Sequence, residues 1–585
     1  MYLLQRTWGL VESLGLYNVK SHRTLAAQLE RWAGTQPDRA FLRFEERSFS
    51  YAQANALINQ HAHAYRALGI GRNDVVALML ENRPEFLWHM FGLHKLGGIA
   101  SLINPQLQAE PLAHALRICH PRFVVVGSEA WANFSSVRGS CEVLAESRTA
   151  VDIEEPCGVT TEARHWADLL KGCSSTNPPL SQVPELSDSA AYIYTSGTTG
   201  LPKAAVVRHL RLYRAGKLWA ALAFWYRPDD VLYCCLPLYH SNALLLGVGS
   251  VISGGVTLAL ARKFSRTTFW DDIRRYEASS FIYIGELCRY LLNAEPSPRD
   301  REHRVRVISG NGLRSELWGR FRRRFGIKRV VEFYGATEGN CVTLNVLGVR
   351  GAVGLALPNM RLAQWDDNSS TFVRDAQGHL VPPKPGEPGV LLSRIRSPLN
   401  FVSYEDQLAT ESKVVRDAFS SGDAWFNTGD LLRTDRRWHL HFVDRLGDTY
   451  RFRGENVATS EVEAQLARWP FVLEVNVYGV SVPGLEGRAG MAAVVLASGS
   501  AFDGASLRAF VGKHLPNYAW PRFVRILAQL TTTSTLKVKK SELQKQGFDP
   551  RQVVEPLYLF HPALDAYVEL TPELHDALIA GQLKM

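Results

Sequence analysis

Thr195-Ser196-Gly197-Thr198-Thr199-Gly200-Leu201-Pro202-Lys203 gathers hydroxyls, glycines and one lysine into a short run. Glycines let backbone N–H groups converge on an anion, hydroxyls add donors to its oxygens, and lysine adds charge. This is phosphate-cradle chemistry, although it is not the G-x-x-x-x-G-K-[ST] loop. A flexible turn with an exposed lysine is the other reading of the same residues. The flanks, 190–193 and 204–207, are apolar and read as strand.

Three further stretches carry groups that would suit a nucleotide. In Glu332-Phe333-Tyr334-Gly335-Ala336-Thr337-Glu338, Tyr334 offers a flat face for a purine and Thr337 a donor for a phosphate oxygen. Glu338 is a hard oxygen ligand of the kind that takes a magnesium ion bridging phosphates. A strand ending in a turn at Gly335 explains the same pattern without chemistry. Asp430, in Phe426-Asn427-Thr428-Gly429-Asp430, is a natural acceptor for a vicinal diol, or else part of a turn. Near the C-terminus, Lys537, Lys539 and Lys540 form a cationic cluster.

Elements able to position these groups follow from periodicity. Helices are expected over 23–32, 51–68 and 84–96, and strands over 75–80, 123–126, 190–194, 231–235, 281–284 and 305–309. Strand–helix alternation of this kind predicts mainly parallel sheets covered by helices. The apolar stretch 243–261 contains Gly247, Gly249, Gly254 and Gly255, and reads as a buried helix followed by a strand rather than a membrane span. Residues 151–184, rich in Ser, Thr, Pro and Gly, read as a surface connection. Past residue 445 the pattern shortens and mixes. Ser460-Glu461-Val462-Glu463 reads as a capping box, with strands at 473–480 and 491–496 and a helix at 506–514.

The chain has 585 residues, 46% hydrophobic and 21% charged, with a formal net charge of +9. That length exceeds a single core, and the moderate basic excess favours anionic partners without choosing among them. The eight cysteines form no C-x-x-C pair, which argues against structural zinc and a disulfide scaffold. The N-terminal residues have no apolar core of a signal peptide, so a cytoplasmic protein is expected. No nucleic-acid-binding motif accompanies the charge. Along the basic segment 314–329 and the residue before it, Leu313, Leu317, Phe321 and Phe325 recur every four residues beside Arg320, Arg322, Arg323 and Arg324. A surface helix of the fold and a helix lying on an anionic membrane both fit that pattern.

In order along almost the whole chain, these stretches resemble the motifs of the adenylate-forming superfamily of acyl-CoA synthetases, luciferases and peptide-synthetase adenylation domains. The resemblance implies that the segment Thr195, Ser196, Gly197, Thr198, Thr199, Gly200 and Lys203 is the phosphate loop. It makes Ser309-Gly310-Asn311-Gly312-Leu313 the adenine-side loop. Tyr334, Gly335, Thr337 and Glu338 fall in the second signature, with Glu338 the Mg2+ ligand. Asp430 would hold the ribose hydroxyls, and Arg445, in Asp444-Arg445-Leu446-Gly447-Asp448, would contact ribose or phosphate. Gly447 stands where the family usually has Asp or Lys at its hinge. A hinge role survives that change, because glycine absorbs large backbone rotations. Arg453 and Gly454 would face the pantetheine channel of coenzyme A. Alignment through Ser541-Glu542-Leu543 selects Lys537 as the adenylating lysine, although Leu536 replaces the usual preceding glycine and Lys539 and Lys540 are rivals.

Four stretches resemble the fatty-acid transport protein and very-long-chain acyl-CoA synthetase subfamily: 236–241 (LPLYHS), 283–291 (YIGELCRYL), 482–492 (VPGLEGRAGMA) and 546–550 (QGFDP). The resemblance implies an α/β fold. A large N-terminal domain of helix-covered, mainly parallel sheets would span residues 1–446, followed by a small mobile α+β domain over 447–585. It implies ligation of a long or very long fatty acid to coenzyme A, with ATP and Mg2+, through an acyl-adenylate. His240, with Tyr239 and Ser241, would lie at the entrance of the acyl pocket, and 283–290 would form a wall. The alternatives are a ligase for a bile or aryl acid and a non-catalytic fatty-acid transport module. Peripheral contact with the cytoplasmic face of a membrane is expected; the oligomeric state is left open.

Overall fold

The computed structural model describes residues 18–583 apart from 139–147, 153–163, 181, 197–201, 336–340, 367–368, 370, 396–409, 447–448, 453–454, 484, 486 and 532–539. The chain forms two compact units. One comprises Met1–Leu313, Trp318–Arg350 and Ile395–Val414, and the other Arg314–Leu317, Gly351–Arg394 and Val415–Met585.

The first unit is built on two sheets. One has eight strands, in the order Val342–Leu344, Arg329–Gly335, Val307–Asn311, Ser280–Ile284, Val231–Cys234, Thr257–Leu260, Ala40–Phe44 and Arg47–Ser50. Its six inner strands run parallel and the two outermost are antiparallel to their neighbours. The inner strands are buried almost throughout, as apolar runs such as Phe281-Ile282-Tyr283 require. From Val231–Cys234 the chain adds Thr257–Leu260 on one side, then crosses back to add Ser280–Ile284 on the other. The carboxyl ends of Val231–Cys234 and Ser280–Ile284 therefore flank a topological switch point, where ligands bind in open α/β sheets.

The other sheet has seven strands: Arg164–His165, Arg148–Asp152, Phe123–Gly127, Val75–Met79, Ile99–Leu102, Ser189–Ser196 and Pro202–Arg208. All pair in parallel except the last, which turns back antiparallel on Ser189–Ser196. The expected strand–helix alternation is realised. Helix Tyr51–Ala67 starts at a capping box of Ser50 and Gln53. Helix Pro84–Leu96 buries every residue except Glu85, begins on proline and stops at Gly97, whose φ of 75° is left-handed.

The apolar stretch 243–261 is a buried helix running from Asn242 to Gly254, a stop at Gly255 with φ 63°, and strand Thr257–Leu260. Among the described residues no helix is long and apolar enough to cross a membrane. The expected surface connection over 151–184 is corrected in part. Asp152 ends an inner strand and is buried, accepting from His89 Nε2 at 2.8 Å. Trp166 is buried against Tyr65, with ring centroids 4.7 Å apart. The polar composition hid two short strands, Arg148–Asp152 and Arg164–His165, which pair with each other and with Phe123–Gly127, and side chains whose partners are distant in sequence.

The second unit holds a six-stranded sheet in which Gly389–Arg394, Ala424–Thr434 and His439–Arg445 pair antiparallel. It also holds a five-stranded sheet built on the hairpin Val472–Val480 and Ala489–Leu496. The capping box expected at Ser460 and Glu463 does not form. Helix Thr459–Leu466 is capped from outside by Asp444, whose Oδ2 accepts from the Thr459 N–H at 2.6 Å and the Thr459 hydroxyl at 3.0 Å. Glu463 is thereby free to turn to the neighbouring strand, where Oε1 accepts from Asn476 Nδ2 and the Val477 N–H, both at 2.9 Å.

Candidate active site

Thr195 pairs with Lys203 and Ser196 with Pro202, which brings both ends of the hydroxyl- and glycine-rich run together at the edge of the seven-stranded sheet. Tyr194 anchors this strand pair: its hydroxyl lies 2.9 Å from the Ala115 carbonyl and 2.8 Å from Ser101 Oγ. Gly197, Thr198, Thr199 and Gly200 lie outside the described residues.

The groups of the proposed adenine side gather at the carboxyl ends of the eight-stranded sheet. Gly310 and Asn311 close strand Val307–Asn311, Gly312 follows with φ 83°, and Tyr334 and Gly335 close the adjacent parallel strand. A Cβ on Gly310 would collide with the Tyr283 carbonyl, and one on Gly285 with the Gly312 carbonyl. Both glycines are fixed by this close backbone approach. Replacing Gly310 with alanine is expected to cost about 1–3 kcal/mol of stability by overpacking. It should also raise the ATP concentration needed for half-maximal turnover. Thermal denaturation and ATP titration of activity check the two effects separately.

Asn242 links the ends of strands Val307–Asn311 and Ser280–Ile284, donating from Nδ2 to Asn311 Oδ1 at 3.1 Å and to the Tyr283 carbonyl at 3.4 Å. Glu332, two residues before Tyr334, is 3% exposed. Its carboxyl accepts from the Tyr283 hydroxyl at 2.5 Å and from the N–H groups of Gly312 and Leu313, both at 3.0 Å. Burial pushes its pKa up to about 8, against the lowering effect of those donors. Sequence reasoning gave no role to Asn242 or Glu332. The available signal for Glu332 was a lone carboxylate in the apolar run Val330-Val331-Glu332-Phe333. His240 is half-buried, with its ring centroid 4.5 Å from that of Tyr239. Of the expected acyl wall, Leu287, Cys288 and Leu291 are buried in helix Gly285–Leu292, while Tyr283 turns its hydroxyl to Glu332. Thr337 and Glu338 lie outside the described residues.

In the second unit Asp430 is 7% exposed. It stands directly across the ladder from Arg445, whose Nε lies 3.2 Å from Asp430 Oδ1. The turn before it is set by Gly429, φ 73°, and by Thr428, whose hydroxyl accepts from the Asp430 N–H at 3.1 Å. The carboxylate is held in place by its own strand, and it can accept from a diol. Lys540, one of the three rival lysines, donates to Thr459 Oγ1 at 2.8 Å and lies 3.2 Å from Glu463 Oε1. Arg314 Nη2 donates to the other Glu463 oxygen at 2.8 Å. Lys540 thus has a structural role. Gly447, Arg453, Gly454, Lys537 and Lys539 lie outside the described residues.

Among the described residues no group of three His, Cys, Asp or Glu side chains could hold a metal. Magnesium is usually held by one or two carboxylates completed by a substrate's phosphates, and Glu338, the expected ligand, lies outside the described residues. The arginine-rich segment forms helix Ser315–Phe325, which buries Trp318, Phe321 and Phe325. Phe325 stacks on Trp270 at 4.5 Å, and Arg324 donates to Asp300 and to the carbonyls of Leu292, Ala294 and Glu295. The apolar stripe is packed into the fold, leaving Arg320, Arg322 and Arg323 on the surface.

Residues 29–404 match the AMP-binding enzyme family and residues 461–537 the AMP-binding enzyme C-terminal domain. The chain is 42% identical, over 93% of its length and 89% of the relative's, to the Medium/long-chain-fatty-acid–CoA ligase FadD6 of Mycobacterium tuberculosis. It is 41% identical, over 91% of its length and 83% of the relative's, to the Long-chain fatty acid transport protein 1 of Homo sapiens. The anthranilate CoA ligase AuaEII in complex with anthranoyl-AMP shares the fold, with a TM-score of 0.76 at 22% identity, covering 90% of this chain and 98% of that one. ATP-bound MatB from Rhodopseudomonas palustris does so with a TM-score of 0.74 at 24% identity, covering 89% and 98%.

Proposed function

Because the chain belongs to the AMP-binding, adenylate-forming enzyme family, in its fatty-acid transport protein and very-long-chain acyl-CoA synthetase branch, we propose that it joins long or very long fatty acids to coenzyme A. AMP-forming acyl-CoA ligation is the family chemistry, with ATP, Mg2+ and coenzyme A as its co-reactants. The observation that carries the chain-length reading is the 42% identity to a medium/long-chain ligase over nearly the whole chain.

In the first step a carboxylate oxygen of the acid attacks the α-phosphorus of ATP and pyrophosphate leaves. In the second, the sulfur of coenzyme A attacks the acyl carbonyl, AMP leaves, and the thiol proton passes to solvent. Magnesium, when bound at Glu338, neutralises charge between the phosphates. Thr195, Ser196, Thr198, Thr199 and Lys203 cradle the β- and γ-phosphates with the glycine N–H groups. Tyr334 and the Gly310–Gly312 loop take the purine, Thr337 donates to the α-phosphate, and Asp430 takes the ribose hydroxyls with Arg445 beside it. Lys537 places a cation on the charge that develops at the α-phosphate. His240 shapes the entrance for the acyl chain. Residues 447–585 turn about Gly447 between the steps, presenting Lys537 for the first and the Arg453-Gly454 loop for the second.

The test is pyrophosphate release by the purified protein across acids from acetate to very long chains, with a bile acid and an aryl acid included, with and without coenzyme A. Release and acyl-CoA formation peaking with long chains are expected. A peak with the bile or aryl acid would replace the substrate class. Saturable fatty-acid binding without release would favour a transport module.

The enzyme works in the cytoplasm and touches membranes peripherally. Since the apolar stripe of helix Ser315–Phe325 is buried, the contact is electrostatic, through Arg320, Arg322 and Arg323. Flotation with anionic vesicles should show binding that falls several-fold between about 0.05 and 0.5 M salt, as screening predicts. Glutamates at the three arginines should abolish it. Equal flotation with neutral vesicles, or no effect of the substitutions, would refute this contact.

A further inference from the structure

Three elements of the eight-stranded sheet converge on one buried carboxyl group. Glu332 lies on strand Arg329–Gly335, Tyr283 on strand Ser280–Ile284, and Gly312 and Leu313 follow strand Val307–Asn311 between them. Oε1 accepts from the Tyr283 hydroxyl and the Leu313 N–H, and Oε2 from the Gly312 N–H. Two carboxylate oxygens offer about four acceptor sites, so all three donors are satisfied by one side chain. Without it, the buried Leu313 N–H and Tyr283 hydroxyl would be left unpaired, which is costly, and the part-buried Gly312 N–H would lose its partner.

We propose that Glu332 is a positioning residue for the nucleotide: it clamps the Gly310–Leu313 loop to Tyr283 and so holds the purine-side loop and the strand leading into helix Gly285–Leu292 in one fixed arrangement. The proposal rests on the reading of this loop as the adenine side of an ATP site. Two observations make the clamp more than a satisfied core residue. The loop it holds has no slack, since Gly310 and Gly285 each abut a carbonyl of the other segment. Glu332 also lies two residues before Tyr334, so the same strand end carries both the clamp and the proposed purine-stacking ring. A loop fixed before the nucleotide arrives loses less conformational entropy on binding it.

The charge of the clamp depends on pH. Among the described residues the titratable groups facing Glu332 are Tyr283 and Cys288, and burial raises the pKa of both well above their ordinary values, so both stay neutral. With its own pKa pushed up to about 8, Glu332 is largely protonated at pH 7 and ionises across pH 7–9. Ionisation strengthens its acceptance from three donors. Nucleotide affinity should therefore rise through about pH 8. Stability has the opposite sign: a carboxyl whose folded pKa lies above its unfolded value loses stability as pH rises from the unfolded to the folded pKa.

The experiment measures AMP binding calorimetrically in the full-length protein, beside turnover with ATP, coenzyme A and palmitate. Glu332→Gln is expected to weaken AMP binding about 10-fold, because its amide turns an N–H toward a backbone N–H and leaves a buried donor unpaired. Tyr283→Phe should weaken binding by a smaller factor. The double variant should be no weaker than Glu332→Gln alone, since the two groups share one interaction. The rise in wild-type affinity between pH 7.5 and 9 should vanish in Glu332→Gln. Unchanged AMP binding in either folded variant, or fully additive effects, would overturn the proposal. If Glu332→Gln fails to fold, Tyr283→Phe and the wild-type pH profile decide. Wild-type AMP binding without palmitate turnover would sink the fatty-acid reading and leave the clamp standing. No AMP binding by the wild type would overturn the clamp's role in nucleotide positioning.

Discussion

Replacing Lys537 with alanine is expected to slow fatty-acid-dependent pyrophosphate release about 10²–10³-fold, the usual cost of removing one preorganised charge from a transition state. Adenylation develops negative charge around the α-phosphorus, and a fixed cation there acts without reorganising at the moment of reaction. Thioester formation from supplied acyl-adenylate should be nearly unchanged, because that step needs no cation on the α-phosphate. The neighbouring lysines make the test discriminating. Lys540 is already engaged by Thr459 and Glu463, so Lys540→Ala should lower the melting temperature more than the adenylation rate. If Lys539→Ala abolishes adenylation and Lys537→Ala does not, the assignment moves two residues along the chain. Pyrophosphate release and single-turnover thioester formation, measured on all three variants, distinguish these results.

Replacing Asp430 with alanine should raise the ATP concentration for half-maximal turnover by about 10²-fold, with a smaller change in the maximal rate. Hydrogen bonds to a charged group contribute about 1.5–3 kcal/mol each, and a ribose diol offers two donors. The side chain is held ready: the residue is 7% exposed, with Arg445 Nε 3.2 Å from Oδ1. Arg445 itself is 56% exposed at its side chain, so removing Asp430 leaves a cation that water can solvate, and little stability should be lost. Asp430→Asn keeps an acceptor but not the charge, and should cost roughly tenfold. The decisive readout is 2′-deoxy-ATP. The wild type should discriminate against it and Asp430→Ala should not. Equal discrimination in both would remove the ribose from Asp430.

Helices and parallel strands were legible wherever local periodicity and burial agreed. Helix Pro84–Leu96, with proline at its start and glycine after its end, and strand Ser280–Ile284, a short apolar run, follow from local chemistry. Residues 151–184 were misread because their composition is polar, while Asp152 and Trp166 are buried by partners far away in sequence. The capping box at Ser460 failed for a similar reason. Serine and glutamate at the right spacing offer a local cap, but Asp444 supplies a stronger, charged acceptor from the preceding strand and releases Glu463 to Asn476, Arg314 and Lys540.

By itself the sequence determined the kinds of chemical group this protein carries and their order. The hydroxyl-glycine run ending in Lys203, the Tyr334 to Glu338 segment, Asp430 and the C-terminal lysines are side-chain identities, and identity needs no coordinates. Only the tertiary structure decided which groups hold which. It tied Glu332 to Tyr283, Gly312 and Leu313, set Asp430 against Arg445, and engaged Lys540 while burying the stripe of helix Ser315–Phe325. The physical reason is that hydrogen bonds and packing act over a few ångströms in space. A chain that crosses one sheet several times brings to that distance residues dozens to hundreds of positions apart.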